Sequence, residues 1–599
     1  MQCSTNPSAS RQKCSAAPPV GWYVFTPAAT IRPVLKTHWQ PGVGTPPEVR
    51  RGLLTAAVLW SIACVGGLLA RPLLPLDETR YTAVAWEMFR DGQWLVPHLN
   101  GVPYHHKPPL LFWLMGAGWS VLGVHEHWAR LVAPLLGLAA LPLTARIGLR
   151  LWPDRPSVAA LAPVLLAGTA LFALFSSLIF FDLPLTMAVL LAWLGVLRAA
   201  DGQAISGWGL AGLGIGLGIL FKGPVALLHA GLPVVLAPIW LPAGPRSWAR
   251  WYGGGLLALV TGGAIALAWA IPAARAGGPE FSRMLFFGQH AGRVVGSFQH
   301  AKPIWWYLVM LPVILFPWTL WGGTWEAARG VRQLVREPGV RFIASVGVAA
   351  LVIFSLISGK QPQYLLPLFP MVALLLARGL DAVPFQDARP ARGILGGLAI
   401  AAGFGMLIAR PAAAGLDGRG ITSMSLANAL GDWNPAWGLP VAILGVLFLA
   451  DRPRLLHFRV ATVAGLSVCL LGLGQAAFFG AQHDRYDQGP TAQRVAAAQA
   501  AGRAVGVLGG YEGQFTFGGR LNRAVDALTE TGAQAWAERH PDGLIVAIHR
   551  RRPDPALPVQ PEFIFPHRGR LCYGWRASDL VALGDAYLRD VPRQAVEDR

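Results

Sequence analysis

A chain of 599 residues that is 54% hydrophobic and only 14% charged falls outside the soluble globular class, in which about a quarter of residues are charged. Its net charge of +19 does not mark a nucleic-acid binder. The basic residues sit in short loops between apolar runs, the positive-inside pattern of membrane proteins, and no basic–aromatic strip for a single strand is present.

The first 51 residues read as a polar, proline-containing, basic tail, expected to be cytoplasmic and disordered. No apolar core with a cleavage site marks a signal peptide there. The five cysteines, Cys3, Cys14, Cys64, Cys469 and Cys572, have no metal or disulfide spacing. Gly52–Ala70 is long enough to span a bilayer, which takes about 20 apolar residues, and Arg50 and Arg51 before it set its start inside. Leu110–Val124 is short and preceded by two prolines. The run from Trp128 to Leu149 ends among Arg146, Arg150 and Arg155, which belong inside. Leu110–Val124 is therefore expected to be juxtamembrane or re-entrant, and 71–127 one outer loop.

Alternation then gives spans at 158–175, 183–197, 207–221, 225–241, 252–274, 304–321, 342–357, 365–377, 394–408, 437–449 and 460–479, with arginine at nearly every inner turn. The Gly-rich run "GWGLAGLGIGLGILF" is suited to close helix packing through small residues. From 481 to 599 the chain turns polar and mixed. "TAQRVAAAQAAGRAV" reads as a helix, and "AVGVLGG" and "GLIVAIH" as buried strands. The expected fold is an α-helical polytopic membrane protein of about 13 spans over 52–480, followed by a small outer α/β domain.

The chain has six lysines. Lys13 and Lys36 lie in the tail. Lys107, Lys222, Lys302 and Lys360 fall on the outer side, where inner-side anchoring does not explain them. Asp77, Glu78, Arg80, Asp182, His290 and Arg293 land there too, with the histidines of "YHHKPPL" (Tyr104–Leu110). Each has an ordinary structural reading. Asp77 can cap a helix whose apolar side is Ala85, Met88 and Phe89. Asp182 and Lys222 can be interfacial charges at helix ends, and His290 a loop residue bonded to backbone. Taken jointly they form a polar cluster at one membrane surface, and ionisable groups at such depth generally line a cavity. Cations there suit a phosphate or diphosphate. A carboxylate can take a proton from an incoming hydroxyl. A lipid phosphate would bury its tail between helices. His106 and His290 are the candidates for a divalent metal, without a metal-binding motif.

"LDETRYTAVAWEMFRDGQWLVPHLNGVPYHHKPPLLFW" (Leu76–Trp113) resembles the first outer loop of the bacterial polyprenyl-phosphate-sugar-dependent transferases of the GT-C superfamily. That group includes the aminoarabinose lipid A transferase and is related to the protein O-mannosyltransferases. "FFDLPLTM" (Phe180–Met187), "FKGPVALL" (Phe221–Leu228), "FFGQHAGRV" (Phe286–Val294) and "SGKQPQYLLPLFP" (Ser358–Pro370) are similar to further family segments in the same order. The likeness spans most of 52–377. Beyond it, the C-terminal region matches only in general layout.

The resemblance implies inverting transfer of a sugar from a polyprenyl phosphate, such as undecaprenyl phosphate, to lipid A, a protein or another glycan or lipid. The site and the C-terminal domain would face the periplasm of a bacterial inner membrane. Asp77, Glu78 and Asp182 would be the catalytic carboxylates. Arg80, Lys107, Arg293 and Lys360 would contact the donor phosphate, and Tyr81, Tyr104, His106, His290 and Tyr364 would shape the site. The family commonly has Glu where this chain has His106, so acceptor and metal behaviour are not carried over at that position. No cofactor is required by this reading, and membrane lipids are the other partners. A transporter or flippase is the alternative. Transporters place ionisable groups near the midplane in repeated halves, whereas here the charges cluster at span ends. A membrane-anchored scaffold would leave the first-loop cluster unexplained. An oligosaccharide ligase with a diphosphate-linked donor is a related enzyme reading.

Overall fold

The computed structural model describes residues 45–241, 244–288, 301–382, 389–417, 433–451, 455–529, 531–549 and 559–583. Helix α1 (Pro47–Ala70) begins with proline, whose missing N–H costs nothing in a first turn. Residues 47–51, assigned to the tail from the sequence, are thus the first turn of this helix. Leu54, Val58, Ile62, Val65 and Leu69 of α1 are exposed, at helical spacing along one face. Ala56, Leu59, Ala63 and Cys64 are buried on the other. Lipid is the solvent that suits such an exposed apolar stripe.

Three helices follow: α2 (Asp77–Asp91), α3 (Leu110–Leu122) and α4 (Glu126–Leu151). Between α2 and α3 lies a two-stranded hairpin, β1 (His98–Leu99) and β2 (Val102–Pro103), turned at Asn100-Gly101. Both turn residues have positive φ, 56° and 77°, as a tight hairpin turn requires. The carboxylate of Glu87 accepts both turn amides, at 2.6 and 2.9 Å.

Next come α5 (Pro156–Gly168), α6 (Ala170–Phe175), α7 (Asp182–Ala200) and α8 (Ala204–Lys222). Buried over most of its length, α7 forms the centre of the membrane core. It runs antiparallel to α8 at very close range. A Cβ on Gly195 or Gly214 would stand 2.4 or 2.5 Å from the facing backbone nitrogen. This is the close packing through small residues expected of the Gly-rich run.

Among the described residues, nine helices are long and apolar enough to cross a membrane, and four shorter apolar helices accompany them. Each of the thirteen expected runs contains helix, but three are interrupted. The run 158–175 breaks at Thr169, where Trp318 Nε1 donates to Thr169 Oγ1 at 2.9 Å and Ala170 N–H to the carbonyl of Phe316 at 2.8 Å. The run 225–241 divides into three short helices because Pro233 and Pro238 remove backbone donors. The run 304–321 holds Trp306–Ile314 and then a short 3₁₀ turn.

The last long apolar helix, Leu456–Tyr486, continues past 480 and is followed by helix Gly489–Ala500. A five-stranded sheet comes next: β3 (Val505–Leu508), β4 (Asp526–Leu528), β5 (Leu544–His549), β6 (Phe563–His567) and β7 (Arg570–Arg576). Its order is β4-β3-β5-β7-β6. The β3 pairings are parallel and the β7 pairings antiparallel. Alternation along β5 sends Leu544, Val546 and Ile548 to the helix Gly489–Ala500 side. Ile545 and Ala547 face Trp536 and Leu580 on the other. The strands β4, β6 and β7 extend the two expected from sequence.

Candidate active site

Helix α2 sorts its first-turn charges by face. Residues three and four apart share a face of a helix, which groups Asp77 with Arg80 and Tyr81 and sets Glu78 on another side. Glu78 is fully buried and ion-paired with Arg71, whose Nη2 lies 3.2 Å from its Oε1. Its oxygens also accept the amides of Leu74 (2.9 Å) and Ile179 (2.8 Å). Arg71 donates in turn to the carbonyl of Ser177. Glu78, expected as a catalytic carboxylate, is thus set apart from the open face on which Asp77 lies. It is a buried tether joining α2 to the end of α1 and to the turn that leads into Asp182. That tether also holds the entry to α2, where Leu76 adopts φ 82°, ψ −78°, a conformation rarely taken by residues with side chains.

Asp77 faces outward, its side chain 42% exposed. Its Oδ1 accepts from Arg80 Nη2 at 2.8 Å and from the Tyr81 hydroxyl at 3.1 Å. Burial, and next the charge of Asp77, push the Tyr81 phenol well above its ordinary range, so it remains a donor. Burial works against the charge of Arg80, but Tyr104, Tyr81, Glu512 and Asp77 around it outweigh that and raise its pKa. The second arm, Nη1, donates to Glu512 Oε2 at 2.7 Å.

Phe181, buried just before α7, is the hub of the neighbouring wall. Tyr81 meets it edge-on at 4.9 Å and Phe112 at 5.7 Å. Lys107 places its ammonium 5.5 Å from the ring centroid, within cation–π range. The ring of Tyr104 lies 5.2 Å from His106 and 6.4 Å from Phe112, and His105 stacks on His106 at 4.4 Å. One residue beyond the hub, Asp182 opens α7 and is ion-paired with Lys222, which closes α8. Each charge suits its helix end, acid at the N-terminus and base at the C-terminus. Lys222 also lies 4.9 Å from the ring centroid of Tyr364.

Six of the expected site residues therefore cluster around α2 and Phe181: Asp77, Arg80, Tyr81, Tyr104, His106 and Lys107. Asp182 and Tyr364 flank them through Lys222. Lys360 is another of the cations expected at the phosphate. It is buried, and two of its three donors go to the carbonyls of Lys302 (2.9 Å) and Ile357 (2.6 Å). His290 and Arg293 lie outside the described residues. Among the described residues no group of three or more His, Cys, Asp or Glu side chains could hold a metal ion. His106 has His105 stacked beside it, and among the described residues no further His, Cys, Asp or Glu completes such a group with them.

Sequence reasoning missed the pairing of Lys222, the Phe181 hub and the contribution of the C-terminal domain. The first was legible: Asp182 lies as far before the Gly202 turn as Lys222 lies after it, so a helical hairpin brings them level.

A family model described as dolichyl-phosphate-mannose-protein mannosyltransferase matches residues 106–274. Over 87% of its length the chain superimposes on 97% of the crystal structure of ArnT from Cupriavidus metallidurans bound to undecaprenyl phosphate, with a TM-score of 0.68 at 20% identity. The fold is GT-C. In sequence, the chain is similar to undecaprenyl phosphate-alpha-4-amino-4-deoxy-L-arabinose arabinosyl transferase 2 of Pseudomonas fluorescens (strain Pf0-1), at 32% identity over 55% of this chain and 61% of that protein. It is 34% identical to the corresponding transferase of Erwinia tasmaniensis over 51% of this chain and 55% of the relative. The chain thus covers under two thirds of these curated relatives' length. The matched residues 106–274 include Lys107, Asp182 and Lys222, while Asp77 and Arg80 lie before them.

Proposed function

We propose that the protein is a membrane glycosyltransferase that moves a sugar from a polyprenyl phosphate to an acceptor hydroxyl, with inversion, on the outer face of the cytoplasmic membrane. The observation that carries this reading is the setting of Asp77. It is a half-exposed carboxylate oriented by two donors, the cation Arg80 and the Tyr81 hydroxyl, with Lys107 on the ring of Phe181, against which Tyr81 packs. Asp77 takes the proton of the acceptor hydroxyl as its oxygen attacks the anomeric carbon. The bond from that carbon to the phosphate oxygen breaks, and the phosphate leaves with the electron pair. Arg80 and Lys107 meet its charge, as fixed donors do best where water is excluded. Arg293, outside the described residues, is a further cation of this reading. Asp182 and Lys222 support the wall carrying Phe181.

The names of the relatives make an undecaprenyl-phosphate-linked 4-amino-4-deoxy-arabinose the first donor to offer, and the family resemblance of the first loop makes lipid A the first acceptor. The test uses purified protein in lipid with a mixture of polyprenyl-phosphate sugars. Release of free polyprenyl phosphate is followed by mass spectrometry, with and without acceptor. Release by the wild type and not by Asp77→Asn is the expected result. No release from any donor in the presence of acceptor would overturn the reading in favour of transport.

A further inference from the structure

The C-terminal domain packs against the first loop. Its segment 511–525 reaches onto the first loop at several points. Asn100 exchanges two hydrogen bonds with the backbone of Val525, at 2.7 and 2.8 Å. Trp86 and Arg90 both donate to the carbonyl of Leu521, at 3.1 and 2.7 Å. Phe517 stacks on Trp119 at 5.2 Å, under the guanidinium of Arg520. These contacts anchor the far end of the segment and leave Glu512 at its near end.

Glu512 is placed by construction. Gly509, Gly510 and Gly513 have φ of 92°, 98° and 78°, conformations that favour glycine. A Cβ on Gly513 would stand 2.7 Å from Leu99 Cδ1 and 2.8 Å from Ala83 Cβ, so glycine lets the segment seat on α2. The Glu512 amide donates to Gln514 Oε1 at 2.8 Å, which fixes the local turn. From this seat the carboxylate takes one end of the Arg80 fork while Asp77 holds the other.

We propose that Glu512 is a resident counter-ion that the donor phosphate displaces from Arg80, loosening the near end of the segment as donor binds. The inference rests on the reading of the site as a lipid-phosphate site. Arg80 offers a planar fork matched to two oxygens of one phosphate, and in this structure both arms hold carboxylates. Asp77 is the fixed partner, three residues away on the same helix and held also by Tyr81. Glu512 is the exchangeable one. Its side chain is 48% exposed, and its link to Arg80 is an exposed pair of the weakly stabilising kind. Parting it leaves Glu512 in water and not stranded in a dry interior.

The test measures binding of undecaprenyl phosphate to the full chain in nanodiscs, for wild type and Glu512→Gln, with hydrogen exchange over 509–525. Removing the competitor should tighten binding by up to about fivefold, the upper end expected for an exposed pair. In the wild type, saturation with the lipid should speed exchange at 511–514 and leave 521–525 protected. Equal or weaker binding by Glu512→Gln, with 521–525 still protected, would overturn displacement. Loss of that protection in the variant would instead assign Glu512 a folding role and equally overturn it. Absence of binding by the wild type is a distinct result that removes the lipid-phosphate reading itself.

Discussion

Asp182 opens α7, Lys222 closes α8, and their side chains meet in an ion pair that is almost wholly buried. Two helices joined by a short turn bring together residues forty apart. The glycines between the helices set the spacing, since any larger side chain at Gly195 or Gly214 would push the facing backbone away.

Removing one member of that pair strands the other. Lys222→Met should destabilise the protein by about 3–5 kcal/mol, the range for breaking a buried pair. Adding Asp182→Asn should recover most of that loss, because the buried charge then disappears from both sides. Thermal unfolding in detergent reads the stability. Failure of the double variant to regain it would show that the pair does not act as a unit.

The adjacent acids Asp77 and Glu78 should fail in opposite ways. Asp77→Asn keeps size and the ability to accept from Arg80 and Tyr81, so expression and melting temperature should hold while turnover falls at least about a hundredfold. Glu78→Gln leaves Arg71 buried without its counter-charge. It should lower stability by about 3 kcal/mol or more, visible as lost yield and early melting. A stable, inactive Glu78→Gln protein would reverse the assignment.

Lys107 and Lys360 should also separate. Lys107→Ala should weaken binding of undecaprenyl phosphate about tenfold or more, as befits a cation removed from a partly desolvated phosphate site. Lys360→Ala should chiefly loosen the turn it ties to Lys302 and Ile357, read as faster hydrogen exchange there. A larger loss of donor affinity from Lys360→Ala than from Lys107→Ala would return Lys360 to the phosphate.

His567 gives the C-terminal domain a pH dependence. It is buried, its Nδ1 is 2.7 Å from Gln488 Oε1, and burial, with Arg568 and Arg570 beside it, pushes its pKa down to about 4. The unfolded ring protonates near pH 6.5 and the folded one only near 4. Stability is therefore complete above about pH 6.5 and falls as pH drops from there toward 4, by up to about 3 kcal/mol. Denaturant titration of the full chain, followed by hydrogen exchange in β6 and β7, measures this. His567→Gln should flatten the slope, and an unchanged slope would exclude His567 as its source.

Much of the helical architecture was legible because apolar runs are written locally. Where prolines or a side-chain contact such as Trp318 to Thr169 interrupt a helix, composition still reads as one run. The helix from "TAQRVAAAQAAGRAV" and the strands in "AVGVLGG" and "GLIVAIH" had enough apolar length to show. Asp526–Leu528 is three residues long, too short for a period, and β6 and β7 are held by antiparallel pairing, β7 against both β5 and β6. In the candidate site, the type and neighbourhood of Asp77, Arg80 and Tyr81 could be read directly. Which of Asp77 and Glu78 is buried could not, because that depends on where Arg71 folds back. Glu512 left only a faint mark, a glutamate set among glycines in "GGYEGQF", since its partner is 432 residues away.

That separation bears on how the molecule is made. Ribosomes add about 5–20 residues per second, so Arg80 is synthesised roughly 20–90 s before Glu512. Over this interval the first loop stands without its cover, with Trp86, Arg90 and Asn100 all lacking the backbone partners they later acquire. The site is consequently finished late in biogenesis. A nascent chain halted short of residue 525 would hold its membrane helices and yet lack a completed first loop.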